Sequence, residues 1–271
     1  MLAERLNIDT IKVRGAYGLI EGSVFDTIIL PAYATSGKWA HQATTMVADF
    51  FATRGGGTYV DVGANIGLTL IPVAQNPDVA CLAIEPDPRN YKYLVANVAA
   101  NCPHGNVTAK QIALHSGRAT LSLELAPDNH GDHRIRLTDA PGKSGEQFRR
   151  TIEVEAAPLD EIMPAIQSPL VIKIDTQGAE PLVIAGGKGT LTRAELMVME
   201  FWPYGMARLG ENPFQLIEWV KRNFAQAAIA EGEPWADVTF HSINEAAAIL
   251  QDIVERSGDD AQLSVDIIAR K

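Results

Sequence analysis

At 271 residues, 46% hydrophobic and 21% charged, the chain fits one large domain or two small ones and is no disordered protein. Its 23 Lys and Arg against 33 Asp and Glu, a net charge of −10, argue against a general nucleic-acid binder, which needs a basic surplus. Cys81 and Cys102 have neither metal-ligand nor disulfide spacing, and no apolar run nears the roughly 18 residues of a membrane span. With an opening, MLAERLNIDT, that lacks the order of a secretory signal, a soluble cytoplasmic protein is expected.

No internal repeat is visible, which excludes solenoids and propellers. Residues 1–57 read as an N-terminal unit. Strands are expected at Thr10–Val13 and Ser23–Leu30, with Gly15, Gly18 and Gly22 making a hairpin or small flap. A helix is entered from Ser36, with Trp39, Ala43, Met46, Val47 and Phe50 at helical spacing, and it stops at the glycines before Thr58. From there strands and helices alternate. Strands are expected at Tyr59–Val62, Val79–Ile84 and Val107–Leu114, with an apolar helical segment at Ile66–Ala74. Pro72 sits inside that segment, where an interior proline costs about 3 kcal/mol, so the helix starts late or bends. Asp87-Pro88 makes a capped helix start, with Tyr91, Leu94, Val95 and Val98 on its apolar face.

Residues 115–157 read as a long, partly β insertion, of the kind that often carries function. Beyond it come a strand at Leu170–Ile174, a helix at Ala179–Ala185, a strand at Leu196–Phe201, a helix at Phe214–Phe224 and a closing strand at Leu263–Ala269. Such alternation implies parallel strands with right-handed crossovers. The expected fold is an open, doubly wound, Rossmann-like α/β sheet over residues 58–271.

The strongest local signal is Asp61-Val-Gly63-Ala-Asn65-Ile-Gly67 after the first strand of the alternation. Strand, glycines and helix together bring backbone close to a ligand. Glu85 ends the adjacent strand, placed to accept hydrogen bonds from both hydroxyls of a ribose. A dinucleotide loop would read G-x-G-x-x-G, its middle glycine clearing room for a pyrophosphate. Here Asn65 takes that place, and Asp61 would repel a pyrophosphate but suit an ammonium and a sulfonium. That favours S-adenosylmethionine over NAD.

These residues resemble the glycine motif of the FkbM family of class I S-adenosylmethionine-dependent methyltransferases. Ile172-Lys-Ile-Asp175-Thr-Gln-Gly178-Ala-Glu180 resembles that family's second signature, and the resemblance covers roughly residues 36–203. It implies methyl transfer, usually to a hydroxyl oxygen. By position, Asp61, Gly63, Asn65 and Gly67 would line the methionine end, Glu85 would hold the ribose, and Asp87, Ala113 and Leu114 would flank the adenine. Gln177 departs from the pattern, standing where many members carry an acid.

Asp175 ends a strand at the carboxyl edge, where open α/β sheets place their ligands, and is the first catalytic candidate. Glu180 lies in the next helix's first turn, where helix-dipole compensation and a catalytic role are both open. In the insertion, His133 is a candidate general base for an acceptor hydroxyl and Asp132 a candidate substrate contact. His130, Asp132 and His133 have no helix under them, so no metal site is assigned. Glu200, Trp202 and Tyr204 end another strand on the same edge, and aromatic faces beside a carboxylate would suit a sugar or polyketide ring. The expected function is O-methylation of a small molecule or glycan, without nucleic acid. The alternatives are an NAD-dependent oxidoreductase, disfavoured by Asn65, and a catalytically inactive cofactor-binding module.

Overall fold

The computed structural model describes residues 8–232, 238–258 and 260–271; residues 1–7 of the expected N-terminal unit lie outside it. The chain opens with an antiparallel hairpin, β1 (Thr10–Gly15) and β2 (Gly18–Ser23). The expected strand at Ser23–Leu30 is corrected: the hairpin's second strand lies earlier, and Ile29–Ser36 is a helix, α1. Asp26 explains the change, because its carboxylate accepts from the backbone N–H of Ile28, Ile29 and Leu30 and starts a helix there. A left-handed Gly37 and a left-handed Ala40 separate α1 from α2 (His41–Ala52), which begins later than Ser36.

The main sheet then builds through β3 (Gly57–Val62), α3 (Ile71–Ala74), β4 (Val79–Ile84), α4 (Pro88–Asn101) and β5 (Val107–Lys110). Pro72 lies in the first turn of α3, where no N–H is needed, so the helix starts late rather than bending. The expected third strand, Val107–Leu114, is divided: Ala113–Leu114 forms β6 and pairs with the insertion instead. The insertion supplies β7 (Ala119–Leu125), β8 (Arg134–Arg136) and β9 (Arg150–Ala157), giving a four-stranded sheet in the order β6-β9-β7-β8.

After a short α5 (Leu159–Ile162) the chain re-enters the main sheet at β10 (Leu170–Ile174). There follow α6 (Glu180–Gly186), α7 (Lys188–Leu191), β11 (Leu196–Phe201), α8 (Pro203–Arg208), α9 (Pro213–Asn223), β12 (Gln226–Ala230), β13 (His241–Ser242), α10 (Ile243–Ser257) and β14 (Val265–Arg270). The eight strands lie in the order β13-β12-β14-β11-β10-β3-β4-β5. Two strands break the parallel rule expected from alternation: β14 runs antiparallel between β11 and β12, and the short β13 runs antiparallel to β12. The reason is connectivity. His241 and Ser242 pair with the start of β12, so the chain is back at the amino edge before α10 climbs, and β14 can only run down.

Apolar side chains leave both sheet faces, as doubly wound folds require. Val60, Ile172 and Met197 meet α6, α9 and α10 on one face; Tyr59, Val171 and Val198 meet the N-terminal elements on the other. Among the described residues no helix is long and apolar enough to cross a membrane.

Candidate functional site

Where β3 ends, the chain turns through Gly63 (φ 78°), Asn65 (φ 50°) and Gly67 (φ 94°), all in the left-handed region. Gly63 is irreplaceable on contact grounds as well: a Cβ there would lie 1.9 Å from the Asp175 carbonyl oxygen. The two sequence motifs therefore touch. Asn65 is among the non-glycine residues that best tolerate this conformation. Its side chain is used twice, Oδ1 accepting from Ile66 N–H (2.7 Å) and Nδ2 donating to the His130 carbonyl (3.0 Å).

Glu85 faces this loop. Its Oε2 accepts from Asn65 N–H (2.8 Å) and its Oε1 from Asp87 N–H (2.9 Å), and each oxygen keeps a lone pair for a further donor. Burial pushes its carboxyl up to about 8, with the Asp87 and Asn65 N–H bonds holding it back. Asp87 itself caps α4, accepting from Arg89 and Asn90 N–H. Asp87 was expected beside adenine; its Oδ1 is engaged by the helix end, and the residue does not line the cavity.

At the end of β10 stands Lys173, which sequence reading passed over. Its Nζ donates to the Gly63 carbonyl (3.2 Å) and lies 3.5 Å from Asp61 Oδ1 and 3.3 Å from Asp175 Oδ2. The signal was present, since a lysine amid Leu-Val-Ile-Lys-Ile must find partners if the strand is buried. Asp61 is fully buried, held by Lys173 and by Thr69 Oγ1 (2.6 Å), and burial raises its carboxyl pKa against the pull of Lys173. Asp61 thus sits beneath Lys173 instead of facing the cavity directly.

Asp175 is the accessible member, 39% exposed. Gln177 (φ 56°) donates Nε2 to Asp175 Oδ1 (2.8 Å) and to Glu200 Oε2 (3.0 Å). A neutral donor joins two carboxylates where an acid would add a third negative charge. Glu200 is pushed well above the usual carboxyl range by burial and by the charges of Asp175, Glu180 and Asp266. Glu180 braces the turn: its Oε1 accepts from Thr176 N–H, Thr176 Oγ1 and Gly178 N–H. It is fully buried, raised to about 7 by that burial, and lies off the cavity wall.

A cavity of about 280 Å³ connects these groups. Gly63, Asn65, Glu85, Ala113, Leu114, His133 and Asp175 line it, as expected from sequence, together with Lys173 and Asn90. Asn90 donates Nδ2 to the His130 carbonyl, while its buried Oδ1 has no hydrogen-bond partner among the described residues. Gly67 packs against Leu94 behind the wall.

The insertion closes one side. His130 O receives both Asn65 and Asn90, and Asp128 O receives Thr27 N–H (2.7 Å), tying insertion, glycine loop and N-terminal unit together. His133 Nδ1 accepts from Ala126 N–H (3.1 Å), so the neutral ring carries its proton on Nε2 and presents a donor, not a base. Burial pushes its pKa down to about 4.

Three residues expected to contact substrate are engaged away from the cavity. Asp132 is consumed by two arginines, accepting from Arg134 Nε and Arg149 Nη2 at 2.6 Å each. Trp202 is buried, with its indole N–H on the Ala261 carbonyl (3.1 Å) and Arg134 over its ring. Tyr204 gives its hydroxyl to Glu146 Oε1 (3.0 Å) and accepts from Lys143 N–H. Asp132 braces the insertion internally, Trp202 and Tyr204 join it to the main domain, and none of the three lines the cavity. Glu200 also stands behind the wall, reached through Gln177.

Residues 61–224 match the model of the methyltransferase FkbM domain. Methyltransferase sdnD of Sordaria araneosa is 30% identical over 152 residues, 47% of this chain. The match spans 59% of that relative's length. Among solved structures, a putative transferase from Pyrococcus horikoshii aligns over 99% of this chain and 80% of its own, with 14% identity and a TM-score of 0.46. The precorrin-6y C5,15-methyltransferase from Geobacter metallireducens GS-15 aligns over 85% and 87%, with 13% identity and a TM-score of 0.39.

Proposed function

The chain belongs to the family of FkbM-domain methyltransferases, and from that premise we propose that it transfers a methyl group from S-adenosylmethionine to a hydroxyl oxygen of a small-molecule acceptor. The observation that carries this reading is the single cavity joining an orphaned Asn90 Oδ1, the Glu85 carboxyl, the Gly63 turn and the Lys173–Asp175 pair.

The residues present fit that cofactor. Asn90 Oδ1 is a buried acceptor without a donor among the described residues, such as an adenine amino group would supply. Glu85 keeps acceptor capacity on both oxygens for ribose hydroxyls. The bare Gly63 turn lets a ligand lie against backbone, while Lys173, which lines the cavity, offers a positive charge for a carboxylate. When bound, S-adenosylmethionine supplies an electrophilic methyl group on a sulfonium.

The chain's own part is positioning, exclusion of water and a place for one proton. Asp175 faces the cavity, its Oδ2 near Lys173 and its Oδ1 under Gln177, and is placed to take the acceptor's hydroxyl proton on a carboxylate oxygen. Lys173 and Gln177 fix its orientation. Glu180 holds the turn that carries it.

The test is binding and turnover together. S-adenosylhomocysteine should bind and raise the melting temperature, and NAD should not; stabilisation by NAD alone would return the oxidoreductase reading. Asp175→Asn should then lower turnover by roughly 10²–10⁴-fold with S-adenosylhomocysteine affinity nearly kept.

A further inference from the structure

The cavity continues inward past the glycine loop, and the sheet register shows how its character changes with depth. Three rows of side chains on one face matter. At the carboxyl edge Glu200 pairs with Asp266, beside Asp175. One row down, Asp61 pairs with Lys173 and Lys173 with Val198. One row further down, Tyr59 pairs with Val171. Charge gives way to a salt bridge and then to apolar surface. Over the inner rows lie Trp39 and the α2 residues Ala43 and Val47, which with Tyr59, Leu68 and Val198 line the cavity's inner end.

The polar groups in that inner end are mostly committed. Thr44 Oγ1 donates to the His41 carbonyl (3.0 Å), and Thr69 Oγ1 to Asp61. Tyr59 differs. It is 2% exposed, it lines the cavity, and no hydrogen bond among the described residues reaches its hydroxyl. Burial holds the phenol protonated, its pKa well above the ordinary value, so it is a donor without an acceptor.

We propose that this inner chamber is the acceptor subsite, and that it takes an alcohol whose body is hydrocarbon and whose far end carries one hydrogen-bond acceptor for the Tyr59 hydroxyl. The proposal rests on the reading of the chain as a hydroxyl methyltransferase. A glycan fits poorly, because each sugar hydroxyl placed against Trp39, Val47 or Val198 would lose its water bonds and find no partner. An amino-acid tail fits poorly too, since its ammonium and carboxylate need the charges of the rows above. The chamber therefore sets specificity beyond Asp175, with the cofactor's charged end held at the Asp61–Lys173 level.

The probes are 2-naphthol, followed by its own fluorescence, and 6-methoxy-2-naphthol, which adds a distal ether oxygen; methyl α-glucopyranoside is the polar control. All are titrated into protein saturated with S-adenosylhomocysteine. Ala43→Leu and Val47→Phe narrow the chamber, and each should weaken 2-naphthol by at least about tenfold while S-adenosylhomocysteine stays within about threefold of wild type. Wild type should prefer 6-methoxy-2-naphthol several-fold, and Tyr59→Phe, which removes one oxygen and leaves the packing, should erase that preference. Loss of S-adenosylhomocysteine binding in either narrowed variant would assign the chamber to the cofactor and overturn the proposal. So would unchanged naphthol binding in the narrowed variants, a preference that survives Tyr59→Phe, or a wild type that binds the glucoside and not 2-naphthol. A wild type that fails to bind S-adenosylhomocysteine at all would instead overturn the methyltransferase reading beneath it.

Discussion

The cavity wall and the insertion both bury carboxylates, and they treat them in opposite ways. In the insertion, Glu146 is fully buried, yet its carboxyl sits below its ordinary value, because Ser144 N–H, Tyr204 Oη and the Arg208 charge outweigh burial. Arg134 pairs with both Asp132 and Glu146, and Arg149 with both Asp132 and Glu124. At the cavity, Glu85 in the wall and Glu180 and Glu200 behind it are all raised by burial, and Asn90 keeps an oxygen with no hydrogen-bond partner among the described residues. Saturated pairing makes a brace; incomplete pairing leaves room for a ligand. Residue type alone does not separate the two, which is why Asp132 and Tyr204 read as substrate contacts although their side chains are engaged within the insertion and with Glu146.

The sharpest way to break this contrast is Gly63→Ala. A Cβ would meet the Asp175 carbonyl at 1.9 Å with φ fixed at 78°, so the two motifs must separate. The expected loss is more than about 4 kcal/mol of stability together with S-adenosylhomocysteine binding, read by urea unfolding and calorimetry. A variant that unfolds and binds like wild type would show that the loop does not rest on Asp175. Next comes Glu146→Ala, which leaves Arg134 and Arg208 near an empty site. Breaking one side of a buried ion pair costs about 3–5 kcal/mol. Here the cofactor affinity of the folded protein should stay near wild type, and a fall in affinity matching the fall in stability would merge the two regions into one.

How much was legible follows from whether the signal was local. The Gly63–Asn65 turn, the Asp87 cap and the strands Val79–Ile84, Leu170–Ile174 and Leu196–Phe201 each depend on neighbours in sequence, and each reads correctly. The capping box of Ser242 and Glu245 was equally local and was passed over, so α10 went unseen. Strand β12 was missed as well, its Gln-Ala-Ala-Ile-Ala being too weakly patterned to stand out. The closing strand β14 was read, but its antiparallel direction was not, because that direction is set by where α10 delivers the chain. For the same reason the glycine-loop side of the site was visible as a motif, while the pairing of Asp132, Trp202 and Tyr204 was not. Their partners Arg149, Ala261 and Glu146 are remote in sequence.

A smaller and more diagnostic effect comes from pH. The Glu85 carboxyl is raised to about 8 in the folded protein. Whatever stability it contributes is therefore full below its ordinary value and is lost as pH rises through about 8. Glu85→Gln, permanently neutral, should remove that loss, so its melting temperature should gain on wild type between pH 5 and pH 8. The ionised carboxylate is the better acceptor for ribose hydroxyls, so wild-type affinity for S-adenosylhomocysteine should rise about fivefold from pH 7 to pH 8. A flat affinity across that interval would mean that the ribose does not rest on Glu85.

The smallest expected effect is at His133, and it decides which side of the contrast the insertion's edge belongs to. The ring lines the cavity, as a base would, but its Nδ1 is already taken by Ala126 N–H and its Nε2 carries the proton. Burial, partly opposed by the Asp87 charge, holds its pKa near 4, so the ring stays neutral at neutral pH. Its folded value lies below its unfolded one, so its contribution to stability is present above about 6.5 and is lost as pH falls through about 4. His133→Gln keeps an oxygen for Ala126 N–H and cannot take up a proton. Urea unfolding at pH 4.5 and pH 7 should show a smaller acid loss in the variant, and turnover at saturating cofactor should change by less than about tenfold, short of what removal of a general base produces. A hundredfold fall in turnover with S-adenosylhomocysteine affinity intact would make His133 the base after all, and Asp175 its partner.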